Sequence, residues 1–157
     1  MLIKLLCVGK THSTYISQGL EEYVKRVNKY SKFEISIVPD IKNVASLTPE
    51  QRKTEEGKLI LQQMQPTDWV VLLDEKGKEY TSEEFSVQWQ NWFNRGSKQI
   101  VCIIGGPYGF SKDVYERAHA KIALSKMTFS HEMVRLFFAE QLYRSFTIIK
   151  NEPYHHR

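Results

Sequence analysis

The chain has 157 residues, the size of a single domain and long enough to bury a core without disulfide or metal support. Hydrophobic residues make up 41% and charged residues 25%, which excludes a disordered or fibrous chain, and the longest apolar runs, Trp69 to Leu73 and Ile100 to Ile104, fall far short of the roughly 20 residues that cross a bilayer. A formal charge of +4, from 22 basic against 18 acidic residues, leans toward a polyanionic partner without identifying one.

The opening MLIKLLCVGK lacks the apolar stretch and small-residue cleavage site of a secretory signal, and predicts a cytoplasmic protein whose first residues already belong to the fold. Leu2 to Val8 reads as a strand covered on both faces. From Tyr15 to Ser31 the period becomes helical through Ile16, Leu20, Tyr23, Val24, Val27 and Tyr30, with Lys25, Arg26, Lys29 and Lys32 on the outer surface. Phe33, Ile35 and Ile37 then alternate with polar residues as a strand that Pro39 closes. Thr48-Pro49-Glu50-Gln51 is a capping box opening a helix so polar that only its last part, from Leu59, is expected to pack firmly. WVVLLD at 69–74 reads as a strand, with Gly77 marking the next loop. Thr81-x-x-Glu84 is a second capping box, before a helix with Phe85, Trp89, Trp92 and Phe93 on its apolar face.

Ile100 to Ile104 is the most strand-like segment and runs into Gly105-Gly106-Pro107-Tyr108-Gly109. Ser111 caps a short helix expected to reach about Ala120. Ile122 to Leu124 reads as a brief strand, 125–130 as a polar loop, and His131 to Lys150 as a long apolar helix that Pro153 stops. Strands and helices alternate throughout, which predicts a single three-layer α/β domain over 1–157 around a mainly parallel sheet. Cys7 and Cys102 each lie in a strand-like run and read as buried thiols; the absence of a C-x-x-C pair argues against a zinc ribbon or a redox site.

In a parallel sheet, ligands bind beyond the carboxyl ends of the strands. Three loops of the second half meet that description: the one after Leu73-Asp74, the glycine loop at 105–109, and 125–130. The glycine loop is not a dinucleotide fingerprint, because position 104 is Ile, and no Gly-Lys-Ser/Thr follows to make a P-loop, so NAD and ATP are disfavoured. Gly105 and Gly106 either permit a tight strand-to-helix turn or let backbone approach a flat ligand. His131-Glu132-x-x-Arg135 lacks the second histidine of a zinc-protease helix, and no metal is expected. Arg135 lies one turn inside its helix, either solvated or salt-bridged or in contact with an anion or nucleotide. Tyr154-His155-His156-Arg157 is either a loose end or a tail anchored by its tyrosine.

Taken together, Ile104-Gly105-Gly106-Pro107-Tyr108-Gly109, Leu124 to Phe129, His131-x-x-x-Arg135, Glu140-Gln141-Leu142-Tyr143-Arg144 and Pro153-Tyr154-His155 resemble the RlmH (YbeA) family of SPOUT-class methyltransferases, over the whole chain. The resemblance implies a carboxyl-terminal trefoil knot, S-adenosylmethionine as methyl donor with no metal, a homodimer, and methylation of N3 of a pseudouridine in 23S ribosomal RNA, within an assembled ribosomal particle. It implies a cofactor site of Leu73, Gly105, Gly106, Leu124, Ser125, Lys126, Met127, Thr128 and Phe129. Ser130 departs from the proline expected before the histidine. For the methyl-transfer chemistry, Tyr154 or His155 is expected to act as base or hydrogen-bond partner at N3, and Arg135 to stabilise charge on the neighbouring carbonyl oxygens. Lys10, Lys25, Arg26, Lys29, Lys126 and Arg157 are candidates for phosphate contact, with a solvated face as the plainer reading of the lysines on the first helix. The competing readings are a non-enzymatic, ribosome-associated RNA-binding α/β protein and a different small nucleotide-dependent transferase.

Overall fold

Strand β1 (Leu2–Val8) is buried on both faces, as its near-continuous apolar run requires. It pairs with β2 (Lys32–Val38) on one side and β4 (Gln99–Ile104) on the other. Strand β3 (Trp69–Glu79) joins the far side of β4, and β5 (Ala120–Ala123) forms the edge beyond it. All four pairings are parallel, in the order β2-β1-β4-β3-β5. The computed structural model describes residues 1–156; the phosphate contact expected of Arg157 lies outside the described residues.

The two-residue period of the strands sorts their side chains into two cores. Ile3, Leu5, Cys7, Ile100, Cys102 and Ile104 face α1 (Thr14–Val27), α3 (Ser82–Phe93) and α5 (Met133–Ile149). Leu6, Val8, Val70, Leu72, Val101 and Ile103 face the other way, toward Ile60 of α2 (Pro49–Gln62) and Val114 of α4 (Lys112–Arg117). Both cysteines are free and buried, and burial pushes the Cys7 thiol up to about 12. No helix among the described residues is long and apolar enough to cross a membrane.

Both capping boxes form: Thr48 and Thr81 accept from the amides of Gln51 and Glu84, whose side chains accept from the threonine amides in return. Four local expectations are corrected. Strand β3 does not end before Gly77: Leu73 and Lys78 both pair with Ile122, so residues 74–77 bulge out and the strand resumes to Glu79. Gly77 lies over the Ile122 backbone, where a Cβ would come within 2.5 Å of its carbonyl carbon, so its missing side chain serves a strand contact. Helix α2 packs from its middle as well as its end, with Glu56 and Gly57 buried ahead of Ile60. Helix α4 stops at Arg117, because His119 turns out to pair with β3: its amide donates to Val70 O at 2.8 Å and its Nδ1 accepts from Val70 N at 3.0 Å.

Candidate active site

The loops after β3, β4 and β5 converge on one cleft of about 670 Å³ at the carboxyl edge of the sheet, a volume within the range of small-molecule sites. Four local devices bend its walls. Asp74 Oδ1 accepts from Lys76 N at 2.9 Å, turning the chain out of β3 into the bulge. Ser125 Oγ accepts from Met127 N at 3.0 Å and turns the loop after β5. Ser130 Oγ accepts from Met133 N at 3.1 Å, so the residue that departs from the family's proline caps the opening turn of α5. Gly109, at φ +82, closes the glycine loop with its amide on Gly106 O.

Leu73, Gly105, Gly106, Leu124, Ser125, Met127, Thr128 and Phe129 all line this cleft. Lys126 does not; its ammonium extends into solvent, 3.9 Å from Glu79. Ile104, Ile122 and Phe129 give the cleft flat apolar walls, while Asp74, Glu75 and Lys76 form a polar lip. Asp74 also accepts a short hydrogen bond from the Tyr115 hydroxyl, joining the β3 bulge to α4 across the mouth. Burial, reinforced by that bond, pushes the Tyr115 phenol up to about 12, so it stays protonated and donating at neutral pH.

The first half of the chain also contributes, through residues that no sequence motif singled out. Lys53 of α2 lines the cleft. Glu56, one turn further, is buried beneath the glycine loop and accepts from Gly106 N at 3.0 Å. Desolvation pushes this carboxyl up, against the lowering effects of the Gly106 amide and Arg52. The glycines at 105 and 106 are thus explained from inside the protein: a Cβ on Gly105 would sit 2.9 Å from the Phe110 ring, and one on Gly106 2.6 Å from Glu56 Oε1. A signal for Glu56 existed only in hindsight, as an acid beside Gly57 on a polar helix.

Arg135 is not where the sequence placed it. Its side chain is fully buried, and its guanidinium donates to Val8 O at 2.9 Å, Thr11 Oγ1 at 2.8 Å and, through Nε, His131 O at 3.1 Å. Each of its three nitrogens makes one bond that ties the end of β1 to the start of α5, and the side chain lies outside the lining of the cleft. Neighbouring Glu132 accepts from the amides of His12 and Ser13, both at 3.0 Å, and so caps α1 from a distant part of the chain. These bonds, the Ser13 amide foremost, hold its carboxyl below the usual range. His131 is exposed and lines the cleft, so it does not share the environment of Arg135, one helical turn along.

The tail is anchored, and away from the cleft. Tyr154 donates to Glu140 Oε1 at 2.9 Å, lies 3.2 Å from the Tyr23 hydroxyl, and packs edge-on against Tyr143 at 4.7 Å. Burial, with the Tyr23 and Glu140 hydrogen bonds, pushes its phenol well above the ordinary range. His155 Nδ1 lies 3.1 Å from Arg144 Nη1. A guanidinium can only donate, so Nδ1 accepts and a neutral imidazole carries its proton on Nε2. Neither residue lines the cleft of its own chain.

A parallel α/β sheet whose carboxyl edge carries a cleft built from three bent loops defines a small-molecule-binding domain of the α/β class. Among the described residues, no group of histidine, cysteine or acidic side chains is arranged to hold a metal. The family model described as predicted SPOUT methyltransferase matches residues 1–155, and the chain belongs to that family, with its α/β-knot fold. It is 56% identical over 157 residues, all of both chains, to the ribosomal RNA large subunit methyltransferase H of Christiangramia forsetii, and 55% identical over the same span to that of Flavobacterium psychrophilum. Among solved structures, a probable methyltransferase from Bordetella pertussis Tohama I superposes with a TM-score of 0.54, covering 91% of this chain and 95% of that one at 10% identity, a likeness of fold.

Proposed function

We propose that the protein transfers a methyl group from S-adenosylmethionine to N3 of a pseudouridine in 23S ribosomal RNA, in the cytoplasm, acting as a homodimer on an assembled ribosomal particle. The observation that carries this reading is the convergence of Leu73, the glycine loop and 124–129 on one cleft. The cleft fits the donor: its volume suits an adenosyl group, and Ile104, Ile122 and Phe129 suit a flat ring.

When bound, the donor supplies a sulfonium methyl already activated for transfer. The protein's own work is to hold donor and acceptor in line and to exclude water, and that contribution is large in a reaction between two bound partners. Ile104, Ile122 and Phe129 enclose the adenosine, and the Asp74–Tyr115 bond holds the mouth to one width. The tail of one chain lies off its own cleft, and in the dimer we propose the second copy delivers it. With Nδ1 held by Arg144, His155 carries an Nε2–H, 3.9 Å from Glu83 Oε1 in the single chain, that turns to a carbonyl oxygen beside N3, where negative charge develops once the imide proton has left to solvent. Exposed Lys10 and Lys126 contact phosphates of the RNA, which makes binding salt-sensitive without reading the base.

Two measurements test the reading. Calorimetry should find one donor site per chain, with light scattering reporting two chains per particle. Incubation with ribosomes from a strain lacking the modification should place labelled methyl on a uracil-type ring at N3; label on adenine or cytosine refutes the substrate, and no calorimetric signal refutes the donor.

A further inference from the structure

Helix α2 holds the glycine loop from beneath at two points and the start of α4 at a third. Glu56, 5% exposed, accepts from Gly106 N at 3.0 Å. The Arg52 guanidinium lies over the Tyr108 ring, 5.3 Å from its centre. Gly57 lets the Ser111 side chain approach so closely that a Cβ there would overlap its hydroxyl. A buried carboxylate beside a loop that lines the cleft has a directional consequence. A peptide unit is planar and trans, so a Gly106 N–H fixed on Glu56 turns the Gly105 carbonyl the opposite way. Rotating that unit by half a turn would set the carbonyl oxygen against a carboxylate, which the charge forbids.

Resting on the cofactor reading above, we propose that Glu56 is a positioning residue for the donor: it locks the Gly105–Gly106 peptide in the one orientation that presents the Gly105 carbonyl to the cleft. Glu56 touches neither donor nor substrate. It acts by removing the alternative loop conformations that donor binding would otherwise have to suppress, and affinity is reduced in proportion to the unpopulated fraction.

The test is donor calorimetry on the full chain for wild type, Glu56→Ala, Glu56→Gln, Gly106→Ala and the double variant Glu56→Ala/Gly106→Ala. Loss of a hydrogen bond to a charged group predicts a roughly tenfold weaker Kd for Glu56→Ala. Glutamine keeps an acceptor at the same reach but brings a donor that a flipped Gly105 carbonyl would accept, so its Kd should fall between those of wild type and Glu56→Ala. Gly106→Ala should also weaken binding, because its Cβ would lie 2.6 Å from Glu56 Oε1 and displace it. The decisive sample is the double variant, in which the added methyl enters space the carboxylate has vacated, so its Kd should match that of Glu56→Ala alone. In turnover, KM for the donor should rise with kcat at saturating donor unchanged, a split that general loss of structure would not give. Losses that multiply in the double variant, or wild-type affinity in Glu56→Ala, overturn the proposal. If Glu56→Ala does not fold, Gly106→Ala and Glu56→Gln decide: both must weaken binding, and wild-type affinity in either overturns the proposal. A wild-type protein that binds no donor removes the cofactor reading itself, whereas wild-type binding that ignores Glu56 removes only this role.

Discussion

Replacing Arg135 by alanine separates a structural role from a catalytic one. In the native protein its guanidinium donates to Val8 O, Thr11 Oγ1 and His131 O from a fully buried site. Alanine leaves the Val8 carbonyl and the Thr11 hydroxyl without their partner, at about 1–3 kcal/mol for each buried group. It also opens a cavity, while sparing the protein the desolvation of a charge. The balance is a loss of about 3 kcal/mol, which at roughly 2–4 °C per kcal/mol for a domain of this size lowers Tm by about 6–12 °C. Urea unfolding with an unchanged m-value should report the loss as a lower midpoint. Lysine, with a single point of charge in place of a fork, should recover only part of it. If Arg135→Ala unfolds at the wild-type midpoint yet abolishes methyl transfer, the arginine belongs to the chemistry and the clasp described here is refuted.

Glu132 has a carboxyl depressed by the Ser13 and His12 amides, so the stability it contributes is present above the ordinary carboxylate pKa and is lost as pH falls through the lowered one. Glu132→Gln should therefore narrow the stability gap to wild type as unfolding midpoints are followed from roughly pH 6 down to pH 3; a gap that stays constant refutes the cap. Gly77→Ala should cost about 3 kcal/mol or more in thermal unfolding, because its Cβ would meet Ile122 backbone at 2.5 Å and backbone cannot step aside as a side chain can. The free thiols of Cys7 and Cys102 are buried with raised pKa values, so a thiol reagent at roughly pH 8 should label neither in the native protein and both in guanidinium; labelling at the unfolding-independent rate would place a thiol at the surface.

Patterns of local origin were legible in the sequence. Both capping boxes, the buried strands and the Phe85, Trp89 and Trp92 face of α3 follow from spacing alone, because each is decided within a few residues. The three loops were legible as well, since the ends of parallel strands are where a ligand can reach. What escaped is what distant segments do to one another. Glu56 lies 50 residues before the amide it holds, Glu132 caps a helix some 120 residues earlier, and Arg135 reaches back 127 residues to Val8. On its own helix each looks like an ordinary surface charge. Arg135 was read as a functional cation for that reason: its helical position is visible in the sequence, but its buried acceptors are not. The glycines at 105 and 106 likewise fitted a ligand or a turn equally well until Phe110 and Glu56 were seen to occupy the missing Cβ positions.

The order of strands also bears on how the molecule is assembled during synthesis. Strand β1 emerges first, yet one of its two neighbours is β4, with Leu2 opposite Gln99. The nascent chain can zip β1 to β2 early, but the halves of the sheet cannot join until nearly two-thirds of the polypeptide has left the ribosome, and α5 then closes over α1 and α3 last. Such long-range closure makes folding slow for a domain of this length, and a stalled or truncated product would expose the unmet edge of β1.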